Sequence, residues 1–273
     1  MSNNKIIDVK RYWDKHPIFS YEKSLNDMNE YYNYVNEIKR NDIEKFALNF
    51  WDFNNYSNKK VLDIGCGTGW YSFQYAKGNA NVFAIDLSSA AVKNVKKIAD
   101  FVGLDVNIRV GNAEKLEFPS NYFDLVISNG VLHHTPDYRE AINESFRVLK
   151  PGCISKLTFY RKGILHNLFV WPILKNTLKF FKINHSGSDF SVNANNVDDF
   201  IRQYDGLLNP VGIGKKNRTW TNHLEEAGYK IKKIENHYFP IRLIPFNKYV
   251  PVFVHKILDI YFGTMVYFLL TKH

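Results

Sequence analysis

One stretch constrains the fold of this 273-residue chain more than any other, the run KKVLDIGCGTG at Lys59–Gly69. Its apolar residues Val61, Leu62 and Ile64 lie between charge and glycine, which is typical of a short parallel strand buried on both faces. Glycines at alternate positions admit positive φ and the close approach of a ligand, and a helix predicted from Trp70 onward offers free N–H groups. The stretch therefore predicts a strand, a glycine turn and a helix start that together form a cofactor cradle.

Three later strands are each predicted to end at a polar side chain. Asp86 and Asn129 end mostly apolar runs, and Asn112 follows the predicted strand 106–110 after Gly111. Because ligands of open parallel sheets bind beyond the carboxyl ends of the strands, we expect these residues to share one crevice with Gly65. Asp86 lies 17 residues after Gly69, near the spacing of about 20 at which an acidic side chain accepts hydrogen bonds from ribose hydroxyls.

The glycine turn behind Asp63 has the spacing Gly-x-Gly-x-Gly, and Trp70 stands where a dinucleotide enzyme has its third glycine. Together with the runs GNAEKLEFPSNYFDLVISNGVLHHTPD and FRVLKPG, the turn resembles the class I S-adenosylmethionine (SAM)-dependent methyltransferases, in the branch of the ubiquinone and menaquinone methyltransferases. The resemblance implies a Rossmann-like α/β fold: a seven-stranded mixed sheet with a reversed last strand, an N-terminal extension and an insertion after strand five. It also implies SAM as cofactor and S-adenosylhomocysteine as its product.

The resemblance assigns cofactor binding to the glycine turn and to the ends of the later strands. Asn112 stands where the family commonly has Asp, and its amide oxygen still accepts a hydrogen bond from the adenine amino group. Ala113 would offer adenine a backbone N–H. The cofactor residues implied in this way are Asp63, Gly65, Cys66, Gly67, Gly69, Asp86, Leu87, Asn112, Ala113, Glu114 and Asn129.

Three side chains are candidates for catalysis. His133 and His134 follow strand four, and imidazole titrates near neutral pH, so either is a candidate general base. The same pair accompanies many different substrates in the resembling family, so a structural or cofactor-shell role is the alternative. Tyr160, at the end of strand five, is the third candidate.

The chain is predicted to have four parts: a helical N-terminal extension or lid at 1–56, a SAM-binding core at 57–160, an inserted helix and lid loop at 161–220, and the C-terminal completion of the sheet at 221–273. Aromatic and acidic residues of the extension and the insertion are candidate substrate contacts, with ordinary packing as the alternative. These candidates are Tyr12, Trp13, Tyr204, Asp205 and Trp220.

The segment 163–183 is predicted to be a basic amphipathic helix, whose lysines and Pro172 exclude a membrane span. Such a helix either covers the sheet or lies against a membrane or a hydrophobic pocket. The polar residues 184–215 are predicted to form a loop over the crevice. Other helices are predicted at 27–39, 42–50, 138–149, 221–227 and 249–262, with a stop at Lys150-Pro151-Gly152 before strand five.

Composition narrows the class of protein. Cys66 and Cys153 provide no disulfide framework, and no Cys or His residues have metal-ligand spacing, so we expect a cytoplasmic protein with reduced thiols and no metal. The N-terminus lacks the apolar core of a signal peptide. The net charge is +9, and the whole excess lies in residues 150–273, which hold 18 basic and 8 acidic residues. This asymmetry fits an anionic substrate, a membrane surface, nucleic acid or simply a solvated lysine-rich face.

The sequence thus predicts a methyltransferase that acts by in-line displacement on small-molecule or lipid-like metabolites, anionic ones included. Two alternatives stay open: a methyltransferase of RNA or protein, and a non-catalytic protein that binds SAM or S-adenosylhomocysteine and serves as an assembly partner. No appended RNA-binding motif is present, which disfavours a nucleic-acid partner. The sequence leaves peripheral membrane contact and the oligomeric state open.

Overall fold

The computed structural model describes residues 2–16, 27–163, 166, 172–173, 176, 194, 196–239, 241 and 246–273. Most of the predicted amphipathic helix 163–183, and the first part of the predicted loop 184–215, lie outside these ranges.

One mixed sheet of seven strands forms the centre of the protein, in the order β3-β2-β1-β4-β5-β7-β6. The first five strands pair in parallel, whereas β7 runs antiparallel to both of its neighbours. This confirms the predicted fold class, including the reversed last strand. The strands are β1 (Lys60–Ile64), β2 (Asn81–Asp86), β3 (Asn107–Val110), β4 (Phe123–Asn129), β5 (Leu149–Tyr160), β6 (Tyr229–His237) and β7 (Met265–Lys272).

Helices cover both faces of the sheet, and several begin at a side-chain cap. Ser88 Oγ accepts a hydrogen bond from the backbone N–H of Ala91 at 3.1 Å, as expected of a helix N-cap. Asp137 caps the helix after β4 in the same way. The described helices are α1 (Ser2–Lys15), α2 (Met28–Ile38), α3 (Leu48–Trp51), α4 (Trp70–Lys77), α5 (Ser89–Val102), α6 (Tyr138–Val148), α7 (Val197–Arg202), α8 (Asn217–Glu226) and α9 (Val252–Phe262).

Two hydrophobic cores lie on opposite sides of the sheet, which explains why the buried residues of β1 are apolar apart from Asp63. Val61 packs into the core under α2, α4 and α5, and Leu62 and Ile64 pack into the core under α6 and α8. Successive side chains of a strand point to opposite faces, so a strand covered on both sides needs apolar residues throughout.

The N-terminal extension is joined to the sheet by a buried carboxylate. Glu44 is fully buried, and it accepts hydrogen bonds from Trp51 Nε1 at 2.7 Å and from the hydroxyls of Tyr71 and Tyr267 at 2.5 and 3.0 Å. Three donors offset the desolvation of this carboxylate. Glu44 therefore connects the extension to α4 and β7.

Three local predictions are wrong. The predicted helix 42–50 is instead a run of π-helix at Lys39–Ile43, a turn and the short helix α3. Helix α6 ends at Val148, next to the predicted stop, but residues 150–152 belong to β5 instead of preceding it. There Gly152 has φ +76° and the pairing with β4 is irregular. A glycine at a register shift lets a strand continue past a sequence that otherwise ends a helix. Within the predicted loop 184–215, residues 197–202 form α7, which Asn196 caps.

No helix in the described part of the chain is both long and apolar enough to cross a lipid bilayer.

Candidate active site

The glycine turn between β1 and α4 has no room for side chains. Gly65, Gly67 and Gly69 have φ values of +76°, +53° and +77°. A Cβ built on Gly65 would lie 2.4 Å from both methyl groups of Val131, and one on Gly69 would lie 2.6 Å from a methyl group of Val95. Positive φ and close contact together require glycine at positions 65 and 69, and positive φ alone favours it at position 67.

A cavity opens beside this turn, at the carboxyl ends of β1, β2 and β3. It encloses about 920 Å³ between the atoms, with the open solvent at its mouth included. This edge of the sheet is where open α/β folds bind their ligands. Six of the predicted cofactor residues line the cavity: Gly65, Gly67, Asp86, Leu87, Asn112 and Ala113.

Asp86 connects the glycine turn to the start of α5. Its Oδ2 accepts a hydrogen bond from the Gly67 N–H at 2.9 Å, and its Oδ1 accepts one from the Ser88 N–H at 2.8 Å. Burial raises the pKa of this carboxyl, and the two N–H donors act in the opposite direction. A carboxylate has about four lone-pair positions, so two such bonds leave acceptor capacity for a pair of hydroxyls.

Three predicted cofactor residues near the turn lie outside the cavity lining. Asp63 is buried in the sheet and accepts a 2.6 Å hydrogen bond from the Ser72 hydroxyl. Cys66 is buried in the hydrophobic core, where burial raises the pKa of its thiol well above the ordinary value. Gly69 is the N-cap of α4. All three residues therefore support the glycine turn without lining the cavity.

Glu114 and Asn129 also lie outside the cavity lining. The Glu114 carboxylate accepts a hydrogen bond from the Asp137 N–H at 2.7 Å, which points it toward the start of α6. The Asn129 amide donates to the Tyr71 hydroxyl, and its oxygen accepts from the Thr158 hydroxyl at 2.6 Å. Both side chains therefore form hydrogen bonds to other elements of the fold.

The Asp63 carboxyl gives a test of the buried wall behind the turn. Burial raises its pKa to about 7 from an ordinary 3.8; the charge of Asp86 adds to the rise, and the Ser72 hydrogen bond opposes it. Because the folded state binds this proton more tightly than the unfolded state, the stability that it contributes is complete below pH 3.8 and is lost as the pH rises toward about 7. The loss amounts to about 4 kcal/mol at most.

We therefore expect Asp63→Asn, which resembles the protonated acid, to match the wild type in acid and to exceed its unfolding free energy above about pH 7. Urea unfolding across this pH range measures the difference, and Asp105→Asn, at an exposed position, is the control. A variant less stable than the wild type at neutral pH would contradict the expectation.

Helix α1 lies over the cavity. Ile6, Val9 and Trp13 contribute to its lining. Asp14 holds the helix in place, because its carboxylate accepts hydrogen bonds from Ser88 Oγ at 2.9 Å and from the Ala90 N–H at 3.2 Å, at the start of α5. Although partial burial opposes ionisation, these donors and Lys10 lower the pKa of Asp14 to about 2. The helix therefore covers the cavity at neutral pH through an ionised anchor.

A polar cluster adjoins the cavity at His134, one of the lining residues. His134 Nε2 lies 3.0 Å from Oδ2 of Asp205, as in an ion pair, although the direction of the contact is not that of a hydrogen bond. The Tyr160 hydroxyl donates to the same oxygen, and the Tyr12 hydroxyl donates to the Asp205 backbone carbonyl. Three predicted site residues from three separate segments thus contact a fourth, Asp205, and we call this group the Asp205 cluster.

The geometry of the cluster separates its members by chemical role. His134 Nδ1 lies 2.6 Å from the Val211 carbonyl, which only accepts, so Nδ1 carries a proton. His134 Nε2 makes no hydrogen bond among the described residues and lies 3.0 Å from Asp205 Oδ2. Burial raises the pKa of Tyr160 well above its ordinary value, and the Asp205 charge adds to this, so the phenol stays a donor. The Asp205 side chain is 34% exposed to solvent, against 5% for that of His134.

Three other predicted residues lie behind the Asp205 cluster. His133 is fully buried with no hydrogen-bond partner at either ring nitrogen, and burial lowers its pKa well below the ordinary value. The Tyr204 hydroxyl lies 2.6 Å from His166 Nε2. Trp220 is fully buried, stacks on Phe159 and donates its indole N–H to the Tyr160 carbonyl. The structure thus places Trp220 in the core rather than at the cavity.

Sequence reasoning missed a large part of the cavity wall. Residues Ala91, Val95 and Ile98 of α5 line it. Their spacing of four and three residues is that of one helix face, and this signal predicts only that the face is buried. Within the described residues, no group of three His, Cys, Asp or Glu side chains has the arrangement of a metal site.

Residues 62–155 match the family described as "Methyltransferase domain". The chain carries a class I SAM-dependent methyltransferase domain. This confirms the predicted family for this part of the chain, with SAM as the cofactor of such domains. The domain covers β1 to β5, where the cavity lies.

Two curated relatives indicate which branch of these methyltransferases is similar. The ubiquinone biosynthesis O-methyltransferase of Pseudomonas fluorescens is 34% identical over 146 residues, which cover 52% of this chain and 54% of that protein. The ubiquinone/menaquinone biosynthesis C-methyltransferase of Rickettsia prowazekii is 27% identical over 184 residues, covering 63% and 69%. The chain thus spans little more than half the length of the first relative.

The fold of the methyltransferase domain is shared with solved structures. A SAM-dependent methyltransferase of Methanosarcina mazei superposes with a TM-score of 0.56 at 20% identity, covering 82% of this chain and 96% of that one. A likeness at this identity shows the fold.

The cavity of the methyltransferase domain fits SAM chemically. Asp86 offers the acceptor oxygens that ribose hydroxyls need, and the space at Gly65 is the kind of cradle that a single Cβ would fill. Leu87 and Ala113 provide apolar wall for a planar base. Asn112 Oδ1 accepts the Glu114 N–H at 2.9 Å and, as an amide oxygen, has a second lone pair for an adenine amino group.

Proposed function

We propose that this protein transfers the methyl group of SAM to a hydroxyl group of a small, lipid-like acceptor. The observation that carries the proposal is the Asp205 cluster, a carboxylate held by His134 and Tyr160 at the edge of the cofactor cavity. Two relatives with ubiquinone or menaquinone biosynthesis in their names support an acceptor of this class.

When SAM is bound, its sulfonium makes the methyl carbon electrophilic: the acceptor oxygen forms the new C–O bond, and the sulfur keeps the electrons of the broken S–C bond. Asp86 and the glycine turn would hold the cofactor, and α1 would exclude water from above it. The acceptor hydroxyl must lose its proton, and the Asp205 carboxylate takes it. Alignment of the two reactants in a dry cavity supplies most of the remaining rate enhancement.

Asp205 fits the role of base better than its neighbours do. His134 Nδ1 is held by the Val211 carbonyl, and its Nε2 lies against Asp205 rather than against the cavity. His133 is buried and is not among the cavity-lining residues, and Tyr160 keeps its proton. The rings around Asp205 also suit an aromatic acceptor, since Trp13 meets His134 edge-on at 5.5 Å between ring centroids. In this proposal residues 1–56 and 161–220 act as the lid and as the acceptor-binding insertion.

The basic excess of residues 150–273 supports an acceptor that carries negative charge. Such charge would speed the encounter between acceptor and protein, and salt would slow it.

The acceptor class is tested with methyl-labelled SAM, the purified protein and an extract of its source cells. We expect the label in the organic-soluble fraction, with a smaller amount in aqueous small molecules. Acid-precipitable label would instead indicate RNA or protein as acceptor. No label in any fraction, together with measured SAM binding, would contradict the proposal and favour a binding-only protein.

A further inference from the structure

Helix α9 is amphipathic, but its polar side is buried and its apolar side is exposed, which is the reverse of a helix that packs on a hydrophobic core. Its two fully buried side chains are polar, His255 and Asp259, at 4% and 3% exposure. Its exposed residues are spaced along one stripe, and all but Lys256 are apolar. The apolar members of this stripe, which we call the α9 face, are Val252, Phe253, Ile257, Ile260 and Tyr261.

The buried polar side chains of α9 both contact other parts of the protein, and these contacts fix the orientation of the helix. His237 Nδ1 lies 2.8 Å from the Asp259 carboxylate, which also accepts the Phe239 N–H at 2.9 Å. His255 meets the ring of Phe46 edge-on at 4.9 Å between centroids. Rotating the helix would break these contacts and leave the buried imidazole of His237 without its hydrogen-bond partner, which is costly. The fold therefore fixes the apolar side outward.

The α9 face extends into the preceding loop. Phe246 and Tyr249 are 81% and 83% exposed, and Phe253 and Tyr261 are 67% and 64% exposed. Single exposed apolar residues are normal on protein surfaces, but contiguous aromatic and aliphatic side chains on one helix mark an interaction site. Among the described residues nothing covers these four rings.

The charges around the α9 face favour one kind of partner. Asp259 is the sole acidic residue of α9, and it is buried, so the exposed side of the helix carries Lys256 and no negative charge. Residues 150–273 hold 18 basic and 8 acidic residues. Aromatic side chains with a polar tip, such as Tyr249 and Tyr261, suit the headgroup level of a bilayer. Apolar burial and attraction to anionic headgroups then act together.

We propose that α9 and residues 246–251 form an interfacial binding site for an anionic lipid surface, on which the helix lies without crossing it. The site is joined to the acceptor side of the protein. Arg161, which follows Tyr160, donates hydrogen bonds from Nη1 to the backbone carbonyls of Tyr261 and Gly263 at 3.2 and 3.0 Å. Docking at this face therefore holds the Asp205 cluster close to the lipid. The binding itself does not depend on the proposed reaction.

The test uses flotation of the full chain with two kinds of vesicle, phosphatidylcholine alone and an equal mixture with phosphatidylglycerol. We expect the protein to float with the mixed vesicles and far less with the neutral ones. Phe253→Asp should weaken the vesicle affinity about tenfold or more, because one buried ring is lost to the bilayer. Lys256→Gln should weaken binding to the mixed vesicles about fivefold.

Phe101→Asp is the matched control, since Phe101 is a 54% exposed phenylalanine on α5 and not on the α9 face. Its vesicle binding should equal that of the wild type. SAM affinity checks the fold of Phe253→Asp, because no residue of α9 lines the cavity. Absence of flotation, or flotation that Phe253→Asp leaves unchanged, would overturn the inference. So would a wild-type dimer that this variant dissociates without any vesicle binding, which would make the face an interface between two copies.

Discussion

Gly65→Ala should lower the affinity for SAM about a hundredfold, whereas Gly103→Ala should leave it unchanged. Both glycines have a left-handed backbone, with φ of +76° and +66°. In each case alanine costs about 1–2 kcal/mol of conformational strain. The two sites differ in their surroundings. A Cβ at Gly65 would lie 2.4 Å from Val131, and one at Gly103 would have nothing within 4 Å.

The expected difference follows from where the displaced atoms lie. Carbon atoms approach to about 3.5–4.0 Å, so the turn or Val131 must move by about 1 Å to admit the methyl group of Gly65→Ala. Gly65 and Val131 both line the cavity, and so the movement falls on the cofactor site. Gly103 ends α5 away from the cavity lining.

Titration calorimetry with SAM measures both affinities, and urea unfolding measures both stabilities. The Gly103→Ala variant shows how much of any loss is due to backbone strain alone. Equal SAM affinities for the two variants would contradict the assignment of the glycine turn as the cofactor cradle.

The parts of the site that the sequence predicted well are those that depend on neighbouring residues. The glycine turn lies next to the strand and helix that it connects, and Asp86 lies at the end of its own strand, so a short window contains the relevant information. The parallel sheet then brings the strand ends together without further information. This is why local pattern and the family resemblance together could name six residues that line the cavity.

The residues that sequence misplaced depend on distant contacts. Asn129 ends β4 as predicted, yet its amide is engaged by Tyr71 and Thr158, which come from α4 and β5. Trp220 is an aromatic residue of the kind that often contacts a substrate, but it stacks on Phe159 in the core. Nothing in the local pattern of either residue distinguishes a side chain that faces the crevice from one that faces a neighbouring element.

Helix α9 shows the same limit for surfaces. A helix at 249–262 is predicted from composition, and the structure has one at Val252–Phe262. Apolar residues on a helix normally predict the buried side. Here the pairing of His237 with Asp259 decides which side is buried, and His237 lies on β6. A contact with β6 therefore determines which side of α9 faces the protein, and the sequence of the helix alone does not reveal that contact.

Asp205→Asn should lower kcat about a hundredfold to ten-thousandfold, the range expected for loss of a positioned general base. The affinity for SAM should stay within about twofold of the wild type, because Asp205 is not among the residues that line the cofactor cavity. Asp198→Asn is the control: it removes the same charge from the same insertion, at a side chain that is 72% exposed and paired with Lys162. A surface pair of this kind contributes little.

A merely structural role for Asp205 predicts a different pH profile. If the carboxylate removes the acceptor's proton, the deficit of Asp205→Asn should shrink as the pH rises toward the pKa of the acceptor hydroxyl, since an acceptor that arrives ionised needs no base. If Asp205 only positions His134 and Tyr160, the deficit should stay constant across that range. Steady-state kcat measured against pH for the wild type, Asp205→Asn and Asp198→Asn distinguishes the two. A constant deficit would leave the methyltransferase proposal in place and remove Asp205 as its base.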